Sequence, residues 1–168
     1  VANAQVDKYV DLINSLPNFN VNKSEIDSLS YNAAVIKFSE GEYVYSRDNF
    51  VNYLNDFSKI HNSSVENDGV FVNQANYFLA ESYRRLSDSS NAFLYYENII
   101  KSNSKEYLEV ALMFCARHKY RLKEYSSSNL YYLAIEGIAS SNSLRREAII
   151  RLMYGFNFLE NNSAFVYA

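Results

Sequence analysis

A spaced set of small and large residues occurs three times along the chain and limits the folds available to it. The best-formed copy consists of Ala80, Tyr83, Ala92, Tyr96 and Ile99. A copy 36 residues later consists of Ala116, Lys119, Ser128, Tyr132 and Ile135. An upstream copy consists of Ala34, Lys37, Ser46, Phe50 and Tyr53. Intervals of about 20–50 residues are typical of arrays in which one supersecondary unit stacks on the next.

Each copy lies on two predicted helices joined by a short turn. Apolar residues recur at steps of three and four, which indicates amphipathic helices. Gly41, Ser87-Asp88 and Lys123-Glu124 supply the turns, and a chain with only four Gly and one Pro has few other breakers. Predicted helices cover residues 2–15, 24–40, 43–60, 71–86, 89–102, 104–122, 125–139 and 141–159, and another starts at 163–168. The predicted fold is all-α, an α-α superhelix (a solenoid) of antiparallel helix pairs with about eight to nine helices.

The predicted domain boundaries follow these copies. Residues 1–23 form an N-terminal helix and loop, which we interpret as the end of a preceding repeat. Residues 24–168 form the array, with repeats at 24–60, 73–102, 109–139 and a truncated 141–168. In the last repeat, Leu152 and Met153 are alternatives for the small-residue position. Because the chain opens at Val1 without Met, we expect a fragment of a longer protein, so that any targeting segment would have been lost with the removed part.

Composition narrows the classes of partner. A hydrophobic content of 48% is enough for a continuous core. The net charge is −3 with acids and bases interspersed, so the surface lacks the basic field that holds a phosphate backbone. We therefore predict no nucleic-acid partner. No apolar run approaches the roughly 20 residues that span a bilayer, so we predict no membrane span in this sequence.

Few residues are suited to catalysis. His61 and His118 are the only histidines, and neither belongs to a metal-ligand or nucleophile motif. Cys115 is three residues from His118, but it takes an apolar position where a free Cys acts as a small hydrophobe. The sequence therefore predicts a non-enzyme with no catalytic residue, metal site or cofactor.

The repeated segment resembles the tetratricopeptide repeat family. The likeness is closest over NYFLAESYRRLSDSSNAFLYYENII and extends from about Ser24 to the end of the chain. Lys37 and Lys119 stand where the family usually has an aromatic residue, and Ser46 and Ser128 stand where it usually has Ala. The resemblance implies a scaffold that binds other proteins.

The opening through Tyr43 is similar to envelope-associated tetratricopeptide proteins of the Bacteroidota, which are generally exported. Its basis is the Asn- and Tyr-rich run YVDLINSLPNFNVNKSEIDSLSYNAAVIKFSEGEY. This narrower likeness implies a periplasmic or outer-membrane-associated protein and a role in cell-envelope assembly.

In the family, the first helices of successive repeats line a concave groove. The resemblance implies that this groove consists of Tyr31, Asn32, Val35, Phe38, Ser39, Gln74, Tyr77, Phe78, Glu81, Arg84, Arg85, Val110, Met113, Phe114, Arg117, Tyr120 and Arg121. Four of these residues are Arg, which can hold carboxylates through two parallel hydrogen bonds. We therefore expect a groove for an acidic or C-terminal peptide of a partner protein.

Two main alternatives remain open from the sequence, and a third, a glycan-binding outer-membrane lipoprotein with embedded repeats, would need large insertions that this sequence does not contain. The groove arginines could instead pair with nearby acids such as Glu81, Glu109 or Glu124 on a solvated face. The whole segment could also be structural, with its terminal repeats forming a homo-oligomer or extending a longer solenoid. The sequence does not identify the partner.

Overall fold

The structure, a computed structural model, describes residues 23–60, 69–102 and 105–159. Over these ranges it contains seven α-helices and no β-strand. The helices are α1 (Lys23–Ser39), α2 (Tyr43–Ile60), α3 (Gly69–Arg85), α4 (Ser89–Lys101), α5 (Leu108–Arg121), α6 (Tyr125–Ile138) and α7 (Asn142–Phe158). The all-α prediction is confirmed for this part of the chain. The helices predicted at 2–15 and 163–168 lie outside the described residues, so the total of eight to nine helices stays a prediction.

The turns between α1 and α2, α3 and α4, and α5 and α6 have the same backbone geometry. Each contains one residue with positive φ: Gly41 at 80°, Ser87 at 64° and Lys123 at 62°. At the middle turn, the Asp88 N–H donates to the Tyr83 carbonyl at 2.9 Å and the Ser87 N–H donates to the Arg84 carbonyl at 3.1 Å. The same two bonds recur at the other turns, as Glu42 to Lys37, Gly41 to Phe38, Glu124 to Lys119 and Lys123 to Tyr120. This is the Schellman arrangement, which ends a helix and reverses the chain.

The small residues predicted at the crossings of the helix pairs are buried. Six of them are fully buried: Ala34, Ser46, Ala80, Ala92, Ala116 and Ser128. The Ser128 hydroxyl donates to the carbonyl oxygen of Ala116 at 2.9 Å, which joins α6 directly to the backbone of α5. Side chains of this size let two helices approach to the short end of the usual ~8–10 Å range.

The core is divided into three clusters that follow the order of the chain. The first, around Phe50 and Leu79, joins α1, α2 and α3. The second, around Tyr96 and Cys115, joins α3, α4 and α5, and the third, around Tyr132, joins α5, α6 and α7. Each helix therefore packs mainly against its sequence neighbours, as repeated helix pairs do.

The position of α5 along the chain differs from the prediction. The helix begins at Leu108 and not at residue 104. The residue before it, Tyr107, has φ 59°, which lies in the left-handed region and cannot continue a right-handed helix. Its ring lies flat on that of Tyr77, with 4.2 Å between ring centroids.

The end of α7 decides the alignment of the last repeat. Leu159 is the C-cap residue of α7, as Leu122 is the C-cap residue of α5, and the N–H of each donates to the carbonyl four residues earlier. These leucines are 37 residues apart, so one residue has been added between α5 and α7 relative to the earlier copies. Met153 therefore occupies the position of Ala116. Leu152 occupies the position of Cys115, and the side chains of Leu152 and Cys115 are fully buried.

Candidate functional site

A cleft of about 940 Å³ runs along α3, α5 and α7, the first helices of their pairs. Predicted groove residues that line it are Tyr77, Glu81, Arg84, Arg85, Val110, Met113, Phe114, Arg117, Tyr120 and Arg121. These side chains come from two helices that are neighbours in space but are separated in sequence by α4. The structure therefore brings most of the predicted α3 and α5 positions together on one surface.

The predicted positions on α1, and Gln74 and Phe78 on α3, do not line this cleft. Tyr31 is buried with its ring 5.7 Å from that of Phe50, and Val35 packs against the same cluster. The ring centroid of Phe78 lies 5.1 Å from that of Phe38, and the Phe78 ring stacks on the Phe50 ring with 5.7 Å between centroids. The remaining predicted residues outside the lining are Gln74, which accepts a hydrogen bond from the Tyr31 hydroxyl, Asn32 and Ser39. In this region the rings pack the first core cluster.

Three residues of α7 also line the cleft, and the sequence interpretation missed them. They are Leu144, Glu147 and Arg151. The alignment of the fourth copy was ambiguous, so no groove position could be assigned there. The 37-residue interval that the structure gives between α5 and α7 places Glu147 and Arg151 where α5 has Val110 and Phe114, and the sequence carried no signal that fixed this interval.

Glu81 is held in the cleft wall by two partners. Arg84 donates from Nε to Oε1 at 2.9 Å and from Nη2 to Oε2 at 2.6 Å, and the buried Tyr96 hydroxyl also donates to Oε1. Burial alone would raise the pKa of Glu81, but the hydrogen bonds from Arg84 and Tyr96 outweigh it and hold that pKa below its ordinary value. Burial, together with the Glu81 hydrogen bond, raises the pKa of Tyr96. The Glu81 carboxylate is therefore a fixed part of the cleft wall.

A second ion pair connects α5 to α7 across the cleft. Arg117 donates from Nε to Oε1 of Glu147 at 2.8 Å and from Nη2 to Oε2 at 2.6 Å. The hydrogen bond from Arg117 lowers the pKa of Glu147. The side chains are 52% and 29% exposed, so water reaches both ends of the pair.

The third carboxylate of the cleft, Glu109, is engaged by the turn before α7. It accepts hydrogen bonds from the Ser140 backbone N–H at 2.7 Å and from the Ser140 hydroxyl at 2.9 Å. Glu124, the other acid considered as an arginine partner, pairs with Lys119 at 2.7 Å instead.

Three cleft arginines remain without an acidic partner. Among the described residues, no carboxylate forms an ion pair with Arg85, Arg121 or Arg151. Arg85 lies 5.7 Å from the ring centroid of Tyr43, and Arg151 lies 4.7 Å from that of Tyr120. All three lining carboxylates therefore have hydrogen-bond donors within the described residues, while three of the five lining guanidinium groups form no ion pair with a described carboxylate.

The described residues also give findings on the Cys115 thiol, on metal binding and on membrane spans. Burial raises the pKa of the Cys115 thiol to about 12, so the thiol is protonated at neutral pH and is a poor nucleophile. Over the described ranges, no group of three or more His, Cys, Asp or Glu is arranged to hold a metal ion. No helix within those ranges has both the length and the apolar character of a membrane span.

Comparison of the chain with known protein families and with curated proteins finds no match.

Proposed function

We propose that this chain is a non-catalytic scaffold of tetratricopeptide-like helix pairs arranged as a solenoid, and that its cleft binds an acidic segment of a partner protein. The observation that carries the proposal is the surplus of guanidinium groups in the cleft. Arg85, Arg121 and Arg151 project into it with no carboxylate partner among the described residues. A ligand carboxylate would complete the charge balance through the paired hydrogen bonds that guanidinium groups favour.

Aromatic surface beside these arginines supports a peptide over a small anion. Tyr77, Phe114 and Tyr120 line the same cleft. Their rings offer apolar area for the side chains and backbone of an extended or helical segment. A cleft of about 940 Å³ spanning three helices also exceeds what a single carboxylate or phosphate would fill.

The solenoid part of the proposal is supported by the repeated turns and by the linear order of the three core clusters. Both features are what stacked helix pairs require. The resemblance of the opening segment to envelope-associated proteins of the Bacteroidota is the support for a role in cell-envelope assembly, at a periplasmic or outer-membrane-associated location.

The test measures the binding of two fluorescein-labelled peptides by fluorescence anisotropy. One peptide is rich in Asp and Glu, and its counterpart has Asn and Gln at the same positions. We expect the acidic peptide to bind more tightly. The double variant Arg121→Gln/Arg151→Gln should weaken it about five- to thirty-fold, since each exposed ion pair contributes about 0.5–1 kcal/mol.

The matched control is Arg145→Gln/Arg146→Gln, which makes the same change in net charge with both substitutions on α7. Both residues are exposed and neither lines the cleft. We expect this control to bind like the unaltered chain. Equal binding of the two peptides, or an equal effect of the two double variants, would contradict the proposal.

A second candidate function is a structural segment that associates through the exposed surface of α7. The observation that favours it is the apolar surface of α7, where Ile150, Tyr154 and Phe158 are 42%, 55% and 55% exposed. Exposed apolar groups of this size often mark an interface. Light scattering decides between the candidates, because this function predicts a concentration-dependent dimer and the peptide-binding function predicts a monomer.

A further inference from the structure

The pair between Arg117 and Glu147 has the geometry that a bound ligand carboxylate would have. Two parallel hydrogen bonds join the guanidinium group to the carboxylate, at 2.8 Å and 2.6 Å. The carboxylate belongs to α7 and reaches across the cleft to α5. Arg117 is therefore a position where this cleft already holds a carboxylate, supplied by the chain itself.

Glu147 differs from the other two cleft carboxylates in how firmly it is held. Glu81 also accepts a hydrogen bond from the buried hydroxyl of Tyr96, and Glu109 also accepts one from the backbone of Ser140. Among the described residues, Glu147 is hydrogen-bonded by Arg117 alone. An ion pair this exposed contributes little, so another carboxylate can replace Glu147 at low cost.

Arg121 extends this position along α5. It lies four residues after Arg117, which places both side chains on one face of the helix with about 5–6 Å between their Cβ atoms. Arg121 has no carboxylate partner among the described residues. Once Glu147 leaves, the two guanidinium groups form adjacent places for two carboxylates.

We infer that Glu147 is an internal competitor for the ligand, and that the ligand carries two carboxylates spaced to reach Arg117 and Arg121 together. Acidic residues at positions i and i+2 of an extended segment have this spacing, as do those at i and i+4 of a helix. The inference rests on the proposed function and specifies its ligand class as a diacidic segment. The ligand replaces Glu147 at Arg117 and occupies Arg121 at the same time.

The experiment compares two fluorescein-labelled peptides, one with two such acids and one in which the second acid is Gln. Glu147→Gln should tighten binding of the diacidic peptide about two- to five-fold, the value of one exposed ion pair. The affinity of the monoacidic peptide should rise no more than about two-fold. Its single carboxylate can already bind Arg121, and the variant only adds Arg117 as a second equivalent place. The gain for the diacidic peptide should vanish when Arg117→Gln is added to Glu147→Gln.

The matched control is Glu109→Gln, which removes one negative charge from the same cleft and leaves Arg117 paired. We expect it to change the binding of the diacidic peptide less than Glu147→Gln does. Equal tightening by both variants would mean a general effect of charge and would overturn the inference. So would an unchanged affinity of Glu147→Gln for the diacidic peptide.

The results that would contradict the proposed function differ from those that would contradict only the competitor role of Glu147. If neither peptide binds to the unaltered chain or to any variant, the acidic-peptide cleft is wrong and the inference falls with it. If Arg121→Gln weakens the diacidic peptide while Glu147→Gln changes nothing, the cleft stands and only the competitor role is overturned. Circular dichroism of each variant should show unchanged helical content, and a loss of helix in Glu147→Gln would assign Glu147 a structural role instead.

Discussion

The carboxylates of the cleft differ in how firmly they are held, because their burial and their hydrogen-bond partners differ. Glu81 is 7% exposed and is bonded by both Arg84 and the buried hydroxyl of Tyr96. Its removal would leave that hydroxyl buried without a partner, which costs about 1–3 kcal/mol. Glu147 is more exposed, and Arg117 can exchange it for another carboxylate. Two residues of the same type in one cleft thus divide into a structural group and an exchangeable one.

His118 is the residue whose titration should affect stability at mildly acidic pH. Its ring lies between α4 and α5, 5.2 Å from the ring centroid of Phe93, and is almost fully buried. Burial lowers the pKa of His118 below its ordinary value of 6.5, and the nearby charges of Arg121 and Lys119 lower it further. The unfolded chain therefore binds a proton at a higher pH than the folded chain does.

The free energy of unfolding should consequently be at its full value above about pH 6.5 and fall as the pH drops from there toward the lowered pKa of the folded state. The slope contributed by one histidine is at most about 1.4 kcal/mol per pH unit. Urea unfolding at about pH 7.5 and 5.5 measures it. His118→Leu should flatten the dependence, and a variant that keeps the same slope would show that His118 is not its source.

At the scale of helices, the contact between α6 and α7 depends on one glycine. A Cβ atom built on Gly155 would lie 2.1 Å from Oδ1 of Asn129 and 2.9 Å from its Cγ. The Asn129 side chain is itself buried, and its amide has no hydrogen-bond partner among the described residues. The two helices can therefore approach this closely only because position 155 has no side chain. Gly137, on α6, contrasts with it because a Cβ there would meet open space.

These two glycines make a matched pair of substitutions. Gly155→Ala should lower the free energy of unfolding by about 1–3 kcal/mol through overpacking. Gly137→Ala should raise it by about 0.5–1 kcal/mol, because Ala is the better helix former and nothing opposes its methyl group.

Thermal or urea unfolding of both variants gives the comparison. Adding Asn129→Ala to Gly155→Ala should restore most of the loss, since it removes the amide that the methyl group would strike. A loss that persists in the double variant would place the clash elsewhere.

At the scale of the whole molecule, the cleft is positive on a chain whose net charge is −3. The helix pairs present their first helices to one side, so arginines from α3, α5 and α7 collect there. Acids elsewhere on the surface account for the overall negative charge. An acidic ligand is then attracted to this cleft and repelled by the rest of the surface, which favours correctly oriented encounters.

Binding of an acidic peptide should therefore depend on salt. Raising sodium chloride from about 0.1 M to about 1 M shortens the Debye length from about 10 Å to about 3 Å. We expect anisotropy titrations to show several-fold weaker binding of the acidic peptide. The Asn- and Gln-containing counterpart should change little. Equal salt dependence for both peptides would argue against recognition by the cleft arginines.

Much of the helical organisation could be predicted from the sequence because it depends on short-range interactions. The bounds of α2 were predicted as observed, since Gly41 provides the positive φ that ends α1. The small residues Ala80 and Ala92 were predicted at a crossing, and both are fully buried. The start of α5 was wrong because the left-handed backbone of Tyr107 has no marker in the sequence.

Within the described ranges, the sequence by itself determined which segments are helices, where the turns between paired helices lie and which small residues are buried. Those features depend on backbone angles and on apolar spacing within one helix pair. The tertiary structure alone decided that Phe78 packs on Phe50, that α7 is shifted by one residue and that Glu147 reaches Arg117. Such contacts depend on the relative rotation of helices that are far apart in sequence. One inserted residue turns a helix by about 100°, and that rotation changes which side chains meet.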